Sequence, residues 1–362
     1  MTRRARRVMA AGAGAAAGLT VGIGASVYLL HRSRRAADPG RALDLEERPG
    51  EQFAVTSFDG TDLAVNAVGP EGGGPTLIFV HGFTLDMTAW HFQWKCFSHD
   101  HRCVLFDQRG HGRSGPAAGG DYSLEALGRD LKAVLDAVAP DQPVVLIGHS
   151  LGGMAVLSFA NLHPEEFGSR VGGVVLANTS AGDLLKAMLG ALGSRAGTYL
   201  APWAHRLSGN PARLHRLRQG LFHGGAGLAF LAARATNFGV DAPPSVVEHV
   251  VRLASRAPAE VWTDIFTSLV ELDLGHALRH VTVPALIVAG DVDRLTPPSS
   301  ALALQGALPD ARMVVLTGAG HCSILERHEQ FNDAVADFLR DLGGASAPHE
   351  GSVLRGSGSV RR

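Results

Sequence analysis

Six short runs of uninterrupted apolar residues constrain the fold of this chain more than any other feature: 76–80, 103–106, 144–147, 174–176, 285–288 and 313–316. A strand with one wetted face alternates polar and apolar residues, whereas a run apolar throughout needs cover on both faces. Each run ends in Gly, Pro or polar residues, and most are separated by stretches of helical spacing such as 124–138. That alternation predicts an α/β chain with a mostly parallel sheet flanked by helices. Ahead of it, residues 53–68 with Asp59-Gly60 at their centre predict an antiparallel hairpin. The 362 residues suffice for a full core. Lys and Arg (33) nearly balance Asp and Glu (34), so no basic face for nucleic acid is expected.

One interval breaks the alternation. Residues 181–274 are rich in Leu and Ala and contain no strand run, which predicts a helical cap inserted between core segments 51–180 and 275–342. Its apolar residues Leu184, Leu185, Met188, Leu189, Leu192, Phe222 and Phe230 read either as substrate-facing or as the cap's own core. Cys96, Cys103 and Cys322 have no metal-ligand spacing, and free buried thiols are preferred over a Cys96–Cys103 pair.

The N-terminal segment 1–35 has a different character. Arg3, Arg4, Arg6 and Arg7 precede twenty-three uncharged residues, 8–30, and His31, Arg32, Arg34 and Arg35 follow. At roughly 1.5 Å per residue such a stretch crosses a bilayer as a helix. Residues 8–30 are therefore expected to be a single-pass membrane anchor, with a cleaved signal peptide and secretion as the alternative. Basic residues on both sides leave its orientation open. Ala10, Gly14, Gly18, Gly22 and Ser26 form a small-residue stripe that suggests a weak homodimer through this helix. Residues 36–50, with Pro39, Gly40, Pro49 and Gly50, read as a linker, and 343–362, rich in Gly, Ser and Arg, as a disordered tail.

A serine hydroxyl is a useful nucleophile only when a neighbouring base takes its proton and a carboxylate holds that base in the right tautomer. In a parallel sheet these groups belong at the carboxyl ends of strands. Ser150, in Gly148-His149-Ser150-Leu151-Gly152, falls between the run ending at Ile147 and a helix-forming stretch, in a sharp turn where flanking glycines relieve crowding. His321 follows the last run through Thr317-Gly318-Ala319-Gly320. After 285–289 come two candidate acids, Asp291 and Asp293; Asn178, Thr179 and Ser180 occupy the end of the preceding run and offer none. Backbone N–H groups of Leu151 and of Phe83, in the loop after Val80-His81-Gly82, are the expected oxyanion donors.

The runs His81-Gly82-Phe83, Asp107-Gln108-Arg109-Gly110-His111-Gly112-Arg113-Ser114, Gly148 to Gly153, Gly290 to Asp293 and Gly320-His321 together resemble the α/β-hydrolase superfamily. More narrowly, they are similar to its esterase, lipase and cofactor-free haloperoxidase-like serine hydrolases, over about 53–342. The resemblance implies the α/β-hydrolase fold and a triad of Ser150, Asp293 and His321 in this family's chain order. It selects Asp293, three residues after Gly290, and leaves Asp291 to cap the turn. It casts the Asp107 to Ser114 loop as structural. It implies no cofactor, no metal, and a small-molecule ester cleaved through an acyl-enzyme. Serine at the elbow sets aside epoxide hydrolases and haloalkane dehalogenases, which place a carboxylate there. Acyl transfer, C–C hydrolysis and cofactor-free haloperoxidase chemistry use the same triad and stay open, as does, more remotely, a non-catalytic binding module.

Overall fold

A computed structural model of the chain describes residues 38–72, 74–182, 216, 226–270, 273–308 and 310–345. The expected anchor at 8–30, its small-residue stripe, most of the expected tail and the cap residues Leu184, Leu185, Met188, Leu189, Leu192 and Phe222 lie outside these residues. Among the described residues, no helix is long and apolar enough to cross a membrane.

The elements run β1 (Glu51–Thr56), β2 (Asp62–Val68), β3 (Thr76–Val80), α1 (His91–Phe97), β4 (Cys103–Phe106), α2 (Leu124–Val138), β5 (Val144–His149), α3 (Leu151–Leu162) and β6 (Val171–Ala177). Then come α4 (Ala226–Asn237), α5 (Pro244–Arg256), α6 (Ala259–Val270), β7 (Ala285–Gly290), α7 (Pro298–Ala307), β8 (Ala311–Leu316), α8 (Ser323–Glu326) and α9 (His328–Ala345). The strands form one sheet in the order β1-β2-β4-β3-β5-β6-β7-β8. The hairpin partners β1 and β2 are antiparallel, β2 is antiparallel to β4, and the remaining pairs are parallel. The turn of the hairpin centres on Asp59-Gly60, with Gly60 at φ +91° and Ser57 N–H donating to Thr61 O at 2.8 Å.

The central strands are apolar throughout because each successive side chain enters a different packed layer. On β3, Ile78 and Val80 join Leu131, Val134 and Leu135 of α2 and Met154 and Phe159 of α3. Leu77 and Phe79 point the other way, among Trp94 of α1 and Phe331, Val335 and Phe338 of α9. β3 is flanked by β4 on one side and β5 on the other, so the strand order reverses between β3 and β5, the position at whose carboxyl ends sheets of this kind bind ligands.

The described part of the interval 181–274 is helical. A bridge between Gly182 and Asp273, with Leu274 N–H donating to Ala181 O at 2.6 Å, draws its two ends together. Its helices also enter the core: Val261 and Ile265 of α6 join one layer, and Phe230, Val247 and Val250 of α4 and α5 the other. Phe230, 1% exposed, is thus core packing.

Three expectations need correction. Residues 38–50 are no free linker but a strap docked on the body. The Asp38 carboxylate accepts from Ser245 N–H (2.9 Å) and Oγ (2.7 Å) at the start of α5, and Leu45 is buried. Glu46 pairs with Arg252 and Arg256, while Arg48 reaches Asp86 and Asp107. Pro and Gly punctuate this strap, but its acidic residues find partners two hundred positions away that only the fold brings near. The expected tail begins too early, since α9 continues through Gly343 to Ala345. All three cysteines are free, and Cys96 is exposed, not buried.

Candidate active site

The chain passes from β5 to α3 through a single residue, Ser150, held at φ +53° and ψ −117°. An L-residue rarely adopts that conformation, so the surroundings must enforce it. Ser150 N–H donates to Ala177 O at 2.9 Å, and Thr179 Oγ1 donates to Ser150 O at 2.7 Å. The glycines on either side are there for space: a Cβ on Gly148 would lie 2.6 Å from Gly152 O, and one on Gly152 only 2.0 Å from Val80 O.

His321 reaches this turn from the loop after β8. Its Nε2 lies 2.9 Å from Ser150 Oγ and its Nδ1 2.9 Å from Asp293 Oδ2. With Nδ1–H donating to the carboxylate, Nε2 is free to accept the serine proton. Asp293 is 3% exposed. Its Oδ1 accepts N–H bonds from Leu295 (2.8 Å) and Thr296 (3.0 Å), and its Oδ2 accepts from Thr296 Oγ1 (2.7 Å) and Asn178 Nδ2 (2.9 Å). Burial alone would raise its carboxyl, but the charge of His321 and these hydrogen bonds outweigh it and bring the group to about 2. The carboxylate therefore stays ionised at neutral pH.

Asp291 stands apart from this constellation. Its Oδ1 accepts Gly318 N–H at 2.7 Å, so it steadies the loop that leads to His321 and does not cap its own turn.

Phe83 follows β3, in a loop pressed against the serine: a Cβ on Gly82 would sit 3.3 Å from Ser150 Cβ. Among the described residues neither the Phe83 nor the Leu151 N–H donates to an acceptor. Three neutral imidazoles brace this loop and the histidine. Gln108 N–H donates to His81 Nε2 (3.0 Å), whose Nδ1–H donates to Gly82 O (2.8 Å). Thr84, at φ +60°, donates its N–H to His111 Nε2 (3.2 Å), and His111 Nδ1–H donates to Arg109 O (3.0 Å). His149 Nε2–H donates to His321 O (2.9 Å). Burial draws these rings down to about 4, 3 and 3 respectively.

The Asp107 to Ser114 segment is scaffolding. Asp107 accepts N–H bonds from Met87 (2.7 Å) and Arg113 (2.8 Å), and Arg109, fully buried, forks onto both Asp130 oxygens at 2.6 Å. From above, Trp262 of α6 packs edge-on to Phe83, with ring centroids 5.4 Å apart. Among the described residues no group of three or more His, Cys, Asp or Glu side chains is placed to hold a metal ion.

Several contributors were missing from the sequence reading. Asn178, at φ +46°, donates to both Asp293 Oδ2 and Gly320 O (3.2 Å), and Ser323 Oγ donates to Asn178 Oδ1. Thr296 and Glu326 were also overlooked. The available signal was weak: a polar residue directly after a fully apolar strand, which looks the same whether it binds solvent or a neighbouring carboxylate.

A family model for the alpha/beta hydrolase fold matches residues 75–328. The chain is 28% identical over 282 residues to 3-oxoadipate enol-lactonase 2 of Acinetobacter baylyi, covering 77% of this chain and 94% of that one. It is 29% identical over 274 residues to part of polyketide synthase ThaQ of Burkholderia thailandensis; the match takes in 74% of this chain but only 12% of that protein's length. Among solved structures it resembles a thermophilic esterase from Thermogutta terrifontis, with a TM-score of 0.63 at 23% identity, covering 81% of this chain and 99% of that one.

Proposed function

The chain belongs to the alpha/beta hydrolase family, and from that premise we propose that it is a serine esterase that works through an acyl-enzyme on Ser150. The observation that carries the reading is the unbroken relay from Ser150 Oγ through His321 to Asp293, two hydrogen bonds of 2.9 Å each. In the proposed reaction Ser150 Oγ attacks the ester carbonyl while His321 Nε2 takes its proton. Asp293 holds the Nδ1–H and stabilises the imidazolium without becoming protonated itself. Negative charge then develops on the former carbonyl oxygen, where the N–H groups of Phe83 and Leu151 have no competing acceptor. Each such donor is worth about a hundredfold or more in rate. His321 returns the proton to the departing alkoxide, and water repeats the sequence on the acyl-enzyme. The name of the Acinetobacter relative specifies a lactone, an internal ester, in keeping with this bond class.

Ser150→Ala should lower kcat/KM on p-nitrophenyl esters by more than about a thousandfold and abolish fluorophosphonate labelling, with unchanged thermal unfolding. Activity retained above about a thousandth overturns the assignment. The proposal extends to residues 8–30 as a membrane anchor, for which the full chain should sediment with membranes and a chain starting at residue 36 should not.

A further inference from the structure

Between α4 and α5 the cap interval returns to the core at Asn237, Phe238 and Gly239, and this turn is joined to the loop that carries His321. Cys322 N–H donates to Asn237 O at 2.8 Å. The two backbones touch, with no room for a Cβ on the glycine of either. A Cβ on Gly239 would fall 1.9 Å from Gly318 O, and one on Gly320 2.5 Å from the Phe238 carbonyl carbon. Glu326 of α8, 6% exposed, enters this seam. Its Oε2 accepts Gly239 N–H and its Oε1 accepts Gly320 N–H, both at 2.7 Å.

A carboxylate is planar and rigid, so one that accepts from two segments fixes each relative to the other. Gly239 belongs to the cap turn. Gly320 immediately precedes His321, and its carbonyl accepts from the same Asn178 amide that holds Asp293. A shift of the cap turn is thereby passed by this side chain, beside the Cys322–Asn237 backbone bond, to the peptide from which the imidazole is hung. Burial raises the Glu326 carboxyl, while its two N–H bonds and the Arg327 guanidinium favour the charged form. A buried carboxylate of this kind is costly unless both oxygens are satisfied.

We propose that Glu326 is a positioning residue that makes the alignment of His321 depend on the seating of the cap turn at Gly239. This rests on the reading of Ser150, Asp293 and His321 as a triad. Glu326→Gln is the decisive substitution, because the amide keeps one acceptor and turns an NH2 toward the other N–H. Two quantities are measured on the full chain: amide exchange at Gly239 and Gly320, and kcat and KM on a short p-nitrophenyl ester per fluorophosphonate-titrated site.

Both amides should exchange faster together, and kcat per titrated site should fall about tenfold or more with KM within about twofold. Glu326→Asp, with the charge restored but the reach shortened, should recover part of the loss. A variant that keeps wild-type kcat per titrated site, losing only active fraction, assigns Glu326 a merely structural role and overturns the proposal. Should Glu326→Gln fail to fold, Glu326→Asp is measured in its place. It must then speed exchange at both Gly239 and Gly320, and unchanged exchange there overturns the proposal equally. If the wild-type chain neither labels nor hydrolyses esters, the triad reading falls, and the exchange results alone decide the coupling.

Discussion

Lowering the pH from about 7.5 to about 5.5 perturbs three buried imidazoles at once. His81, His111 and His149 are each at most 1% exposed. On His81 and His111, Nε2 accepts a backbone N–H, which only an unprotonated nitrogen can do. Their folded values near 4, 3 and 3 lie well below the 6.5 of a free imidazole. In the unfolded chain all three titrate near 6.5, so below that pH the unfolded state binds more protons and stability must fall with acid. The contribution is complete above about pH 6.5 and is lost at about 1.4 kcal/mol per histidine per pH unit toward the folded values. At about pH 5.5 the three together cost roughly 4 kcal/mol, a large part of the 5–15 kcal/mol typical of a folded domain. Asp293 acts in a lower window: its folded value of about 2 against 3.8 contributes stability lost only as the pH falls below about 4. Urea unfolding followed by tryptophan fluorescence across this range gives the proton uptake from the slope of stability against pH. His91 and His249, drawn down to about 4, add to that uptake and Asp107, raised to about 6, subtracts from it, so the three rings are isolated by substitution: His81→Gln, His111→Gln and His149→Gln should each reduce the uptake by about one. Unchanged uptake in these variants would mean that the rings are charged in the folded protein. That result would refute the neutral tautomers on which the bracing of the Phe83 loop depends.

Asp293→Asn should reduce kcat/KM by about a thousandfold or more in steady-state ester hydrolysis, because Nδ1–H loses its acceptor, whereas Asp291→Asn should stay within about tenfold. Arg48→Met leaves Asp86 and Asp107, paired with Arg48 at 2.8 and 3.4 Å, without that cation. Chemical denaturation should register a loss of about 2–3 kcal/mol, and a change under about 0.5 kcal/mol would show that the Arg48 ion pairs contribute nothing to stability. Gly152→Ala places a Cβ 2.0 Å from Val80 O and should destabilise by more than about 3 kcal/mol or prevent folding. Gly172→Ala, whose Cβ meets nothing nearer than Val144 O at 3.9 Å, is the control and should unfold within about 0.5 kcal/mol of wild type.

Covalently local patterns were legible in the sequence. The uninterrupted apolar runs located six of the eight described strands, because burial on both faces forbids polar residues along them, and Asp59-Gly60 located the hairpin. Strand ends were read short: β5 continues to His149 and β7 to Gly290, since a polar or glycine residue looks like punctuation even while its backbone still pairs. Ser150 was legible for a related reason, as a lone serine with glycines two positions away on each side, between a strand run and a helix run. Composition misread the strap at 38–50, whose charges answer to α5 and to the loops after β3 and β4. The side chains around Ser150, Asp293 and His321 were decided only by the tertiary structure. Asn178 and Asp293 are 115 positions apart, and Glu326 meets Gly239 across 87. Hydrophobic patterning reports whether a residue is buried, but a buried polar group is defined by the partner that satisfies it, and that partner exists only once the chain has folded.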